Sequence, residues 1–178
     1  MNGVYLDIET TGFKAEKGAE ITEIGGMKVV NNKIIAVFSS LCFVHGEISD
    51  FITNLTGINK EMTNNAPPFH TVFCNFMESL AITEKTNLII HNVPFDYNFL
   101  KYYVNHNKFN KLYVDRFYNL NTVCTLDLSR RLLPNQSHKL DDLKKHFGIQ
   151  NNKKAHRALA DCQVTYQVHR RLLELKES

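Results

Sequence analysis

Asp7 and Glu9 lie two residues apart in a stretch where Val4, Leu6 and Ile8 alternate with Tyr5, Asp7 and Glu9. A strand with that alternation sends both carboxylates from one face, about 6–7 Å apart along the backbone. In a central strand that face is covered and two acids there need a task; at an edge the same face is simply wet. Far along the chain, Asp161 falls on the apolar stripe Ala158, Cys162, Thr165, Val168, Leu172 and Leu175. A carboxylate aimed inward is costly without a cation, a hydrogen-bond cage or a proton. At the margin of the stripe, near the helix start, the macrodipole alone would favour it. Asp96, in the first turn of a helix opened by Pro94, and His156, just before the last helix, say little singly, since acids and histidines are common at such places.

Together, Asp7, Glu9, Asp96 and Asp161 offer four carboxylates with no thiol or paired-histidine set beside them. Hard oxygen donors of this kind select Mg²⁺ or Mn²⁺ rather than Zn²⁺. Four such charges also repel one another, so divalent metal is expected both to stabilise the fold and to activate it.

The elements that must position these residues follow from periodicity. The first third reads as a three-strand meander: Val4 to Glu9, then Ile21 to Val30, the Asn31-Asn32 turn, and Ile34 to Phe43. A short helix is expected from Asp50 to Leu55, ending at Gly57, and a longer one after Pro67-Pro68, with Phe69, Val72, Phe73, Phe76, Met77 and Leu80 at helical spacing. A strand at Leu88-Ile89-Ile90 precedes the Pro94 helix, whose stripe is Phe95, Phe99, Leu100 and Tyr103. Next come a strand near Leu120 to Cys124, a helix through Leu126 to Leu133, and one from Leu140 to Phe147 stopped by Gly148. The last helix runs from about Arg157 to Leu175. A meander followed by alternating strands and helices predicts an α/β sandwich with a mixed sheet and helices on both faces. Asparagine is plentiful, as at Asn31-Asn32, Asn64-Asn65 and Asn151-Asn152, with no function evident from sequence.

The 178 residues, 43% hydrophobic and 22% charged, form one ordinary globular domain with no repeat or linker. A chain of this size buries roughly 70% of the surface its unfolded form exposes, so it needs no disulfide or structural metal to fold. No apolar run is long enough to span a membrane and no signal peptide is evident, so a cytoplasmic protein is expected. Cys42, Cys74, Cys124 and Cys162 lie far apart and read as reduced thiols. The net charge is +3, but residues 130–178 hold 11 Lys/Arg against 5 Asp/Glu while residues 1–129 hold 10 against 13. That surplus suits an anionic partner, as it suits a solvated helix face. The chain has no HExxH, GxSxG or Walker A pattern, and neither Cys124 nor Cys162 lies in a recognisable thiol-hydrolase signature.

Asp7-Ile8-Glu9-Thr10-Thr11-Gly12, His91-Asn92-Val93-Pro94-Phe95-Asp96 and His156-Arg157-Ala158-Leu159-Ala160-Asp161 resemble, in order and interval, the three motifs of the DEDDh 3′→5′ exonucleases. Each segment alone is a common pattern; the ordered set carries the resemblance. It covers nearly the whole chain and is nearest to the branch of the proofreading epsilon subunit of bacterial DNA polymerase III. Leu55-Thr56-Gly57-Ile58 and Ala66-Pro67-Pro68-Phe69 also look like that branch.

The resemblance implies a ribonuclease H-like fold, with a five-stranded mixed sheet in order 3-2-1-4-5, the first strand central, and one exonuclease domain over residues 1–178. It implies two Mg²⁺ or Mn²⁺ ions: Asp7 touching both, Glu9 and Asp161 holding the one that carries the nucleophilic water, and Asp96 serving the second, directly or through water. Two cations about 3.5–4 Å apart would neutralise the phosphodiester and acidify the attacking water. His156, which marks the histidine type, would accept the water's proton. Ile8, Thr10, Thr11, Gly12, Leu55, His91, Asn92 and Phe95 would accommodate the terminal nucleotide. The expected substrate is a single-stranded DNA 3′ end, read with little base preference. Lys139, Lys144, Lys145, Lys153, Lys154 and Arg157 are candidates for its backbone. The competing readings are an exoribonuclease resembling ribonuclease T or oligoribonuclease, and an inactive module that binds nucleic acid or tethers a polymerase. A DNA polymerase subunit is a further possible partner, although the chain stops directly after the final helix, which leans towards a stand-alone enzyme.

Overall fold

The computed structural model describes residues 1–150 and 156–177. In chain order the elements are β1 (Gly3–Thr10), a 3-10 turn (Ala15–Lys17), β2 (Ile21–Val30), β3 (Lys33–Leu41), α1 (Asp50–Thr56), α2 (Lys60–Asn64), α3 (Phe69–Ser79), β4 (Asn87–Ile90), α4 (Val93–His106), α5 (Lys111–Tyr118), β5 (Asn121–Cys124), α6 (Thr125–Leu132), α7 (Leu140–His146) and α8 (Ala158–Glu177). The sheet order is β3-β2-β1-β4-β5, so β1 is central as expected. β2 runs antiparallel to β1 and β3, while β4 lies parallel to β1 and to β5.

Alternation along β1 sorts the two layers. Val4, Leu6 and Ile8 face a core with Ile24 of β2 and the apolar stripes of α3 and α4, including Phe73, Phe76, Phe99 and Leu100. Tyr5 faces the opposite layer with Met27, Cys162 and Tyr166, beneath α8. Tyr5 donates to, or accepts from, His169 Nδ1 at 2.9 Å, which satisfies two buried polar groups at once. α6 and α7 cover the outer side of α8 through Leu128, Leu143, Val164, Val168 and Leu172.

The sheet, the helices at 69–79, 93–106 and 140–146, and the long last helix match the periodicity. Two differences are small: Pro94 occupies the second helical position rather than the first, and Leu175, expected on the buried stripe, is 44% exposed. The short α2 and α5 were not foreseen. Each begins with an asparagine, Asn59 and Asn110, whose side chain accepts the backbone N–H of the residue three or two along. Asn31 and Asn32 both take positive φ, 50° and 61°, in the tight β2–β3 turn. Side chains that hydrogen-bond locally tolerate that region best, so part of the asparagine abundance goes to turns and caps.

Candidate active site

Asp7 and Glu9 rise from the C-terminal half of β1 on the α8 side of the sheet. Because β4 is parallel to β1, its C-terminal end opens on the same edge, and Asp96 enters there from the first turn of α4. Asp161 comes from the first turn of α8. One carboxylate oxygen each from Asp7, Glu9 and Asp161 lies within 4.8 Å of the others. Asp96 is buried, and its Oδ1 accepts the Ile8 backbone N–H at 3.1 Å, which fixes it to the strand that carries the other two. All four open on a cavity of about 460 Å³, also lined by Ile8, His91, Asn92, Phe95, Lys139, Leu140, Asp141, Asp142, Lys145 and His156.

These acids are electrostatically uncomfortable together. Burial, and then the charges of Asp96, Glu9 and Asp161, push Asp7 well above the ordinary carboxylate range. Burial followed by Asp161 and Glu23 raises Glu9 to about 8. Burial raises Asp96 to about 7 and Asp161 to about 6, although the His156 charge and backbone N–H draw Asp161 the other way. A cluster that favours its protonated form when alone, and presents only carboxylate oxygens at close range, fits a hard divalent cation. The acidic cluster accords with the metal dependence of exonucleases of this fold.

His156 sits one residue before Arg157 with φ +56°, a left-handed conformation at the junction with α8. Its side chain is 40% exposed, with Nε2 3.9 Å from Asp141 Oδ2. His91 lines the cavity, but both ring nitrogens are engaged: Nδ1 with Thr125 Oγ1 at 3.0 Å and Nε2 with the His138 carbonyl at 2.9 Å. The carbonyl requires the proton on Nε2, so Nδ1 accepts from the threonine. His91 thus ties the segment ahead of Lys139 to β5 and α6.

The other expected substrate residues divide. Ile8, Asn92 and Phe95 line the carboxylate cavity. Thr11 and Gly12 line a separate hollow with Phe13 and Lys14. Thr10 is nearly buried, its hydroxyl donating to the Gly12 carbonyl at 2.7 Å. Leu55, on α1, is 38% exposed and is not among the residues lining the carboxylate cavity. Of the basic candidates, Lys139 and Lys145 line the cavity, Lys144 does not, and Lys153 and Lys154 lie outside the described residues. Arg157 is not free for a phosphate, because its guanidinium is paired with Glu23 at 2.8 Å. The four cysteines are unbridged. Burial, then Asp7 and the other acids, raises the Cys162 thiol well above its usual range, which removes it as a nucleophile.

Three neighbours escaped the sequence reading. Asp141 faces His156, Phe13 stands 81% exposed beside Thr11 and Gly12, and Glu23 is buried against Arg157. An acid in the apolar run Ile21 to Met27 was the available signal for Glu23.

The sequence profile of the RNase T-type family, described as exonuclease, matches residues 4–169. The chain belongs to this exonuclease family. It is a 3′→5′ exonuclease. The DNA polymerase III epsilon subunit of Rickettsia typhi is 32% identical over 170 residues, spanning 93% of this chain and 71% of that protein. The PolC-type DNA polymerase III of Caldanaerobacter subterraneus is 36% identical over 173 residues, 96% of this chain but 11% of the relative. Among solved structures, exonuclease X in complex with 5′-overhanging duplex DNA superposes with a TM-score of 0.75 at 22% identity, covering 98% of this chain and 93% of that one. The nuclease domain of 3′hExo, a DEDDh family member bound to rAMP, gives 0.75 at 19% identity over 96% and 90%. Both share its ribonuclease H-like fold.

Proposed function

We propose that this exonuclease, folded as one domain over residues 1–178, removes nucleoside monophosphates from single-stranded or frayed DNA 3′ ends in the cytoplasm, in proofreading or repair. The observation that carries the reading is the convergence of Asp7, Glu9 and Asp161 within 4.8 Å on a cavity shared with Asp96 and His156. The polymerase III relatives favour DNA over RNA and a polymerase subunit as partner.

Two Mg²⁺ or Mn²⁺ ions, when bound, supply the charge that neutralises the phosphodiester, acidifies the attacking water and stabilises the leaving 3′ oxygen. Asp7, Glu9 and Asp161 would hold them from one side of the cavity, and Asp96 from the other strand end. His156 accepts the water's proton as the water oxygen bonds to phosphorus. The bond from phosphorus to the 3′ oxygen of the preceding nucleotide then breaks, leaving a nucleoside 5′-monophosphate and a strand one residue shorter. An imidazole has the right intrinsic basicity for this near neutrality, and 40% exposure leaves it room to meet the water. Ile8, Asn92 and Phe95 bound the terminal nucleotide from the cavity side, while Thr11, Gly12 and the exposed Phe13 present a second surface to it and Thr10 holds the Gly12 carbonyl from beneath. His91 forms wall rather than contact, and Leu55 reaches the nucleotide only from outside the cavity. An aromatic wall stacks on any base, which gives little sequence preference.

Matched 5′-labelled single-stranded DNA and RNA oligonucleotides, incubated with Mn²⁺, test the reading. A ladder shortening from the 3′ end of DNA, absent with EDTA and in Asp7→Ala, is expected. A faster ladder on RNA would make the enzyme an exoribonuclease; no ladder on either, from folded protein, would make the chain a binding module.

A further inference from the structure

The pair between buried Glu23 and half-buried Arg157 has no part in the chemistry above, yet it joins the sheet to the segment that carries His156 and Asp161. In the β1–β2 register Glu23 pairs with Glu9, and Gly25, two residues along on the same face, pairs with Asp7. Beside each β1 carboxylate, β2 therefore places one residue that meets the start of α8. At Gly25 the contribution is a missing side chain. A Cβ there would run into the Ala158 carbonyl carbon and the Leu159 amide, so the first turn of α8 rests directly on the strand.

At Glu23 the contribution is a fully used carboxylate. Oε2 accepts from Arg157 Nε at 2.9 Å and from the Ala158 backbone N–H at 3.1 Å. Oε1 accepts from the second guanidinium nitrogen at 2.8 Å and from Ser39 Oγ at 3.0 Å. Glu23 is 2% exposed and Arg157 36%. The two parallel N–H···O bonds fix orientation as well as distance, and the carboxylate sits where the helix dipole favours it. Tightness continues along the chain, since the Asp161 N–H donates to the Arg157 carbonyl at 3.0 Å.

Stability alone does not call for this arrangement. Like charges directly opposite across an antiparallel pair are unfavourable, and a buried ion pair is often matched or bettered by apolar residues of similar volume. What the pair gives is position. We propose that Glu23 is a positioning residue: with Arg157 and the bare surface at Gly25, it clamps residues 156–161 onto β2 so that His156 and Asp161 hold register with Asp7 and Glu9. The clamp rests on the roles assigned to His156 and Asp161 above.

Wild type, Glu23→Ala, Glu23→Gln, Arg157→Lys and His156→Ala decide the matter. Each is assayed for kcat and KM on single-stranded DNA and, without DNA, for the Mn²⁺ concentration that half-saturates its thermal shift. Outer residues that orient metal ligands typically carry about 10- to 100-fold in affinity or activity. Glu23→Ala is expected to lose kcat in that range with KM within about twofold and a raised Mn²⁺ midpoint. Glu23→Gln, which keeps one accepting oxygen for the Ala158 N–H and Arg157 Nε, recovers part of both. Arg157→Lys keeps the charge but loses the fork, so it too falls in kcat, and it serves as the test if Glu23→Ala does not fold. A wild-type kcat and Mn²⁺ midpoint in folded Glu23→Ala overturns the clamp, as does a loss of melting temperature with the midpoint unmoved. Wild-type rates in His156→Ala would overturn the site reading and the clamp with it. Lost rate in His156→Ala beside an unaffected Glu23→Ala overturns the clamp alone.

Discussion

Burial opposes ionisation at all three: with the charges of Asp161 and Glu23 it pushes Glu9 up to about 8, against backbone hydrogen bonds it still pushes Asp96 up to about 7, and against the nearby His156 charge it pushes Asp161 up to about 6. Their unfolded values lie at 3.8 for aspartate and 4.5 for glutamate, so each folded value is raised. A raised group contributes stability that is complete below its unfolded pKa and lost as pH climbs through its folded one. His169 runs the other way: burial, followed by the N-terminal charge, lowers it to about 4 from 6.5, so its share is lost as pH falls between those values. Metal-free protein should therefore melt higher as pH drops from 8 to 5, with His169 taking back part of the gain below its unfolded value and the rise levelling off only towards the unfolded carboxylate values near 4. Saturating Mn²⁺ should flatten the upper limb by supplying the missing positive charge. Calorimetry across pH 5–8, in EDTA and in Mn²⁺, checks both; a metal-free midpoint that rises with pH would contradict the cluster. At this scale the sequence was informative where an acid broke an apolar pattern, as at Asp7, Glu9 and Asp161. It was uninformative where the partner lay far away, as for Glu23 and Arg157, 134 positions apart and joined only by the fold.

Among the elements, β2 and α8 meet with no side chain between them at Gly25. Gly25→Ala should force them apart, because the new methyl group meets backbone rather than the end of a flexible side chain. Overpacking of this kind costs about 1–3 kcal/mol, and here it should be accompanied by lost cleavage. Denaturant unfolding beside a rate assay checks the pairing; a destabilised but fully active variant would show that the site tolerates movement of α8. Long periodic elements were legible because their stripes repeat: α3, α4 and α8 each show several buried residues at helical spacing. The five-residue α2 and eight-residue α5 show too few turns for periodicity to register, and their asparagine caps are residues equally at home in loops. His91 illustrates the same limit from the other side. Its motif marked it as part of the site, but its bonds to Thr125 and His138 depend on β4 lying beside β5.

For the molecule as a whole, the basic surplus of the last third gathers partly at the cavity through Lys139 and Lys145. Single-stranded nucleic acid binding loses affinity with salt at a logarithmic slope of about 0.7 per phosphate neutralised. Lys139→Ala and Lys145→Ala should each reduce the slope for oligonucleotide binding by about that amount while leaving the Mn²⁺ midpoint in place. An unchanged slope in a salt titration of both variants would remove these lysines from the strand path. No described helix is long and apolar enough to cross a membrane. The three close carboxylates come from opposite extremes of the sequence, residues 7 and 9 on the first strand and residue 161 on the final helix. During synthesis, a growing chain short of residue 161 has the central strand but lacks the third oxygen of the cluster. Completion of the cluster consequently waits for α8, and a product truncated ahead of that helix would carry the sheet without the full set of carboxylates.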